Sequence, residues 1–148
     1  MPIVTGQITR AGAVIDLLVG VSQNRQRRLE SMSCEVPATI PVRAVIDTGS
    51  FITGFMPAIF DSLAITPFDT TLVVTPSTEP DKPFECGLYD VSITLVSGTT
   101  LEYLPSVHVI ASADFHQKEE IQGLIGRDIL DRCVFSYYGP SKMFSLAF

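Results

Sequence analysis

Ala44-Val45-Ile46-Asp47-Thr48-Gly49-Ser50 is the stretch from which the rest of the chain can be read. Val45 and Ile46 are β-formers, so the aspartate that follows them stands where a strand leaves the core. Gly49 lets the backbone turn sharply just beyond it. A carboxylate presented on such a turn has little freedom, which suits a catalytic acid, but the same residues suit an ordinary strand closed by an Asp/Gly turn. The remaining sequence decides between these readings.

The 148 residues suit one domain, 1–148, with a modest core, and leave no room for two independent catalytic lobes. Hydrophobic residues make up 46% and charged residues 18%, the balance of a folded chain rich in strand-forming types rather than a disordered one. A net charge of −6 excludes an extended nucleic-acid surface, because phosphate contacts need a basic field. Cys34, Cys86 and Cys133 are odd in number and far apart, which fits a reducing compartment. The run from Ala13 to Val21 contains Asp16 and lacks a small-residue cleavage site, so it reads as a strand and not as a signal core. No apolar run approaches the ~20 residues needed to span a bilayer. The expectation is a soluble, cytoplasmic protein without a membrane partner.

Turn signals and apolar alternation divide the chain into strands. Ile3 to Val21 reads as a hairpin turning at Gly12, and Ser22 to Ser33, with Arg25, Arg27 and Arg28, as a solvated loop or a short exposed helical turn. Val42 to Ile46 is the strand that delivers Asp47, and the segment Ile59 to Ile65 crosses back over the core. Thr71 to Thr75 and Leu88 to Val96 flank a tip rich in Pro and polar residues, a long hairpin suited to act as a flap. Ser97-Gly98 turns into the strand Leu101 to Ile110, whose Pro105 predicts an edge or a bulge. After a polar loop, Gly123 to Ile125 leads into one short helix beginning near Gly126, and a hairpin from Val134 to Phe148 turning at Gly139-Pro140 closes the chain.

Two blocks then stand in a fixed order: Asp47-Thr48-Gly49-Ser50, and 79 positions later, counted from Asp47 to Gly126, Leu124-Ile125-Gly126-Arg127-Asp128. In this order and spacing the sequence resembles the single-lobe, retropepsin-type aspartic proteases, over roughly Val42 to Phe148. The resemblance implies an all-β, closed barrel-like acid-protease fold with one short C-terminal helix and a flap hairpin. It further implies that Leu124, Ile125, Gly126 and Arg127 form a ψ-shaped crossing beside the Asp47 loop and contribute to a homodimer. That family's chemistry uses two carboxylates, and no other aspartate here is followed by Thr/Ser-Gly, so the second acid is Asp47 of another copy.

The reading is therefore an aspartic endopeptidase acting on peptide or protein substrates, with Asp47 catalytic and no cofactor or metal; the alternative is an inactive domain of the same fold that binds peptides or serves as structure. Thr48 by resemblance bonds to its counterpart across the dimer axis, and Gly49 allows backbone contact with substrate. Ser50 stands where the viral enzymes usually carry alanine; a hydroxyl donated to the Asp47 carboxylate favours its charged form and predicts a more acidic optimum. Thr75, Pro76, Ser77 and Thr78 are assigned to the flap, whose tip lacks the family's glycines. The acid that commonly pairs with the family's arginine is missing, since Phe51 and Ile52 occupy its stretch, so either Arg127 pairs elsewhere, with Asp128, Asp131 or a backbone carbonyl, or the dimer is tied differently. His108, His116 and the cysteines lack metal-type spacing and read as structural.

Overall fold

A computed structural model describes residues 1–74, 82–112 and 120–148. In chain order these form β1 (Ile3–Thr9), β2 (Gly12–Val21), α1 (Gln23–Ser31), β3 (Ile40–Ile46), β4 (Gly54–Phe55), α2 (Pro57–Ser62) and β5 (Asp69–Val73). There follow β6 (Phe84–Ser97), β7 (Thr100–Ala111), β8 (Gly123–Ile125), α3 (Arg127–Leu130), β9 (Val134–Tyr138) and β10 (Met143–Ala147).

The strands alternate as their sequences require. Val42, Ala44 and Ile46 of β3 point inward while Pro41 and Arg43 stay exposed; on β2, Ile15, Leu17 and Val19 are buried and Asp16 faces water. Pairing of β2 with β6, from Leu17↔Leu95 to Val21↔Val91, closes the strands β2, β3, β8, β4, β7 and β6 into a ring. A barrel of six strands leaves no cut edge around the core, and its interior is filled by Leu17, Val19, Val42, Ile93, Leu95 and Ile125, all at 2% exposure or less. Each such side chain contributes about 1.5–3 kcal/mol by leaving water, so the closure is driven by burial.

The fold is all-β, as expected, with local differences. The β1–β2 hairpin is paired only at Ile8↔Ala13 and Thr9↔Gly12; beyond that, β1 leaves β2 and runs along β10 from Gln7↔Met143 to Ile3↔Ala147. Tertiary pairing with the C-terminal strand outcompetes the local hairpin. Two helices accompany the expected C-terminal one. α1 occupies the arginine-bearing stretch, capped by the Ser22 hydroxyl, which accepts from the Arg25 N–H. α2 forms where the chain crosses the core: Pro57 presets the first turn, and Ile59 and Phe60 are buried, with the Phe60 ring stacked on Tyr89 at 3.9 Å.

Pro105 lies where the β6–β7 register shifts, between Val91↔Val107 and Ile93↔Leu104, and the bulge absorbs its missing N–H. β5 and β6 pair antiparallel from Asp69↔Leu88 to Val73↔Phe84, the base of the expected flap hairpin. Its assigned tip residues Thr75, Pro76, Ser77 and Thr78, and also His116, lie outside the described residues.

Candidate active site

β3 carries Asp47 out of the barrel interior, and β8 holds that exit in place. β8 is inserted between two strands of the earlier block: parallel to β3 through Val45↔Leu124 and Ile46↔Ile125, and antiparallel to β4 through Gly54↔Leu124. The path from β3 around the Asp47 turn to β4, with β8 threaded between its arms, is the ψ shape. The Asp47 N–H continues the ladder by donating to the Ile125 carbonyl at 2.9 Å.

The carboxylate is half-buried, and its Oδ1 accepts from the Gly49 N–H at 2.9 Å. Gly49 is not in the left-handed region; among the described glycines, positive φ occurs at Gly12 and Gly98. Its value at this position is space rather than turn geometry, because a Cβ on Gly49 would stand 3.1 Å from Asp47 Oδ1. Thr48 is exposed, and its hydroxyl has no partner within the chain among the described residues.

Ser50 departs from expectation. Its hydroxyl donates to the Ile52 carbonyl at 2.7 Å, and the Ile52 N–H points back at it, 3.4 Å away. The hydroxyl thus closes the local turn instead of reaching Asp47, so the contact invoked for an acidic optimum is not made.

Gly126 lies against the backbone of Ile52, where an added Cβ would meet backbone C, O and N at 2.6–2.9 Å. No side chain fits in that crossing. Arg127 N–H donates to the Ser50 carbonyl at 2.8 Å, and its guanidinium reaches the Thr48 carbonyl at 3.4 Å, so of the partners left open the backbone carbonyl is the one it meets. Leu124, Ile125, Gly126 and Arg127 are therefore all brought to the Asp47 loop.

The sequence reading missed the pair that fastens this crossing. Thr53 is fully buried; its N–H and hydroxyl donate to Asp128 Oδ2 and Oδ1 at 2.9 and 2.7 Å, and the Gly126 N–H donates to its Oγ1 at 3.0 Å. Asp128 Oδ1 also accepts from the Ile129 N–H at 2.9 Å. The only signals in the sequence were a lone hydroxyl between Ile52 and Gly54 and an acid in the first turn of a short helix. Among the described residues no cluster of His, Cys, Asp or Glu is arranged to hold a metal, and His108 instead packs its ring 4.8 Å from Phe68. Burial pushes the Cys133 thiol up, and its Sγ lies 3.5 Å from the Ile129 carbonyl as a donor, which suits packing and not nucleophilic attack.

No family model matches the chain, and no curated protein matches its sequence. Solved structures do. A retropepsin-like aspartic protease from Rickettsia conorii superposes with a TM-score of 0.60 at 13% identity, over 99% of this chain and 90% of the other. An aspartic proteinase from Irpex lacteus gives a TM-score of 0.54 at 16% identity over 98% of this chain, which spans 46% of that longer protein. At these identities the likeness is one of fold: the chain has the retropepsin-like acid-protease fold.

Proposed function

We propose that the chain, residues 1–148 acting as one domain, is a homodimeric aspartic endopeptidase whose catalytic dyad is Asp47 and its symmetry copy. The observation that carries this reading is the fixed presentation of Asp47, with its N–H on the Ile125 carbonyl and its Oδ1 on the Gly49 N–H, in a chain with a single Asp-Thr-Gly. One such carboxylate is half of a water-activating pair, and a twofold axis supplies the other.

Two carboxylates brought together share one proton over a wide pH range, the arrangement for which aspartic proteases are the general example. The ionised member accepts a proton from the water between them while that water attacks the scissile carbonyl. The protonated member donates to the carbonyl oxygen, so acid and base act in one step and no covalent intermediate forms. The exposed Thr48 hydroxyl is available for its counterpart across the axis, which stiffens both loops. The substrate is a peptide in extended form, held as a strand between the catalytic loops and the β5–β6 hairpin. Its compartment is the cytoplasm, a reading supported by the odd number and wide spacing of Cys34, Cys86 and Cys133 in the sequence.

The test is cleavage of a diverse peptide library by the purified chain, alongside Asp47→Asn. The variant is expected to keep fold and dimer and lose cleavage, and wild-type specific activity is expected to fall on dilution below the dimer dissociation constant. A wild-type dimer that cleaves nothing across the acidic to neutral range would overturn the peptidase reading in favour of a non-catalytic peptide-binding domain.

A further inference from the structure

α1 is a helix without a buried residue in an otherwise well-packed chain. A nine-residue helix is marginal by itself and ordinarily persists because an apolar face is packed away. Here the half-buried positions are Gln23, Gln26 and Leu29, and the outward face presents Arg25 and Arg28, one turn apart. The helix holds three of the ten cationic residues of an acidic chain against one glutamate, Glu30, whose carboxylate is taken by the Gln26 amide at 3.0 Å. Among the described residues, none of Arg25, Arg27 and Arg28 has an ion-pair partner.

Arg25 and Arg28 do not simply face open water. They border a groove of about 380 Å³ whose other wall is the segment after α2, with Ile65, Thr66 and Phe68. Phe68 is 55% exposed, a large apolar surface beside two unpaired guanidinium groups. Asp90 also lines the groove and accepts from the Ser106 hydroxyl at 2.6 Å; it sets one carboxylate against the two guanidinium groups, so cationic groups outnumber acidic ones in the lining. The exposed His108 ring packs on Phe68 at the same end.

From this combination we infer that the groove between α1 and Phe68 docks an acidic segment of a protein partner, with carboxylates on Arg25 and Arg28 and an apolar side chain on Ile65 and Phe68. Guanidinium forks favour carboxylates, and the apolar wall excludes water from the pair, which strengthens it relative to an exposed contact. A nucleic acid fits less well, because beyond this patch the chain is negative and repels a polyanion, while an apolar floor offers a peptide side chain more than it offers a phosphate. The docking surface does not depend on the peptidase reading, since none of its residues belongs to the Asp47 loop or the ψ crossing.

The test is fluorescence anisotropy of a labelled glutamate-rich octapeptide with one central leucine, titrated with the full chain at low ionic strength. Wild type is expected to bind, with affinity falling as salt shortens the screening length from about 30 Å toward 3 Å. Arg25→Ala/Arg28→Ala is expected to weaken binding by about tenfold or more, the loss of charge-assisted contacts. Phe68→Ser weakens it separately, Arg10→Ala on the distant hairpin turn leaves it unchanged, and a lysine-rich octapeptide does not bind. Absence of binding by wild type, equal binding by the double arginine variant, or tighter binding of a single-stranded oligonucleotide than of the acidic peptide overturns the inference. Circular dichroism of each variant separates lost contacts from lost fold.

Discussion

Thr53 and Asp128, 75 positions apart, are joined by two hydrogen bonds, N–H to Oδ2 at 2.9 Å and Oγ1–H to Oδ1 at 2.7 Å. One residue follows the Asp47 loop and the other opens the helix after Gly126, so the pair ties the two halves of the ψ crossing directly. Thr53 is buried and Asp128 half-buried, and no buried side-chain polar atom of the described residues lacks a partner, which is the condition under which such a pair stabilises a core instead of weakening it.

Removing either partner strands the other. Thr53→Val and Asp128→Ala are each expected to cost about 2 kcal/mol, since hydrogen bonds to a charged group contribute about 1.5–3 kcal/mol. That corresponds to a fall in Tm of about 4–8 °C for a chain of this size. In denaturant titrations the double variant should lose clearly less than the sum, and simple additivity would mean that the two side chains do not act as a unit.

Gly126 and Gly98 separate two demands on glycine. At Gly126 a methyl group would enter the Ile52 backbone at 2.6–2.9 Å, so Gly126→Ala is expected to cost about 3 kcal/mol or more, or to prevent folding. At Gly98 the φ of +56° carries the strain but nothing lies within 4 Å, and Gly98→Ala should cost about 1 kcal/mol. Equal losses in chemical denaturation would refute the contrast.

Gly49→Ala pushes a Cβ to 3.1 Å from Asp47 Oδ1 without touching the core. Stability should change little, whereas kcat in the peptidase assay should fall by about tenfold to a hundredfold, because small displacements of a reacting group are costly. A variant with wild-type kcat would show that the carboxylate tolerates displacement and would remove the reason given for the glycine.

Cysteine reactivity should follow burial. Cys34 is exposed, Cys86 is 4% exposed, and the Cys133 thiol is held above its ordinary pKa by burial, which lowers its thiolate fraction at any given pH. Iodoacetamide near pH 8, followed by mass spectrometry, is expected to modify Cys34 first and Cys133 only slowly. Faster labelling at Cys133 than at Cys34 would contradict this order.

Much of the fold is legible in the sequence because strand alternation is a local property. Val42, Ala44 and Ile46 predict one face of β3, and Pro105 predicts the irregularity in β7. The α1 stretch reads equally well as a loop or a helical turn, because residues with no apolar face carry no period to read. The β1–β2 hairpin is shorter than its sequence suggests for a related reason: Gly12 announces a turn, but nothing local reveals that β10 will claim β1.

By itself the sequence determined that the chain is built of strands and that its one Asp-Thr-Gly ends the strand Val42 to Ile46. Only the tertiary structure decided that β8 enters between β3 and β4, that Gly126 must be bare, that Thr53 and Asp128 lock the crossing, and that the Ser50 hydroxyl turns to Ile52 instead of Asp47. The physical reason is range. Side-chain alternation and turn chemistry act over a few residues, whereas these contacts join positions brought together by the path of the chain, and even the short-range choice made by Ser50 depends on the backbone angles that path imposes.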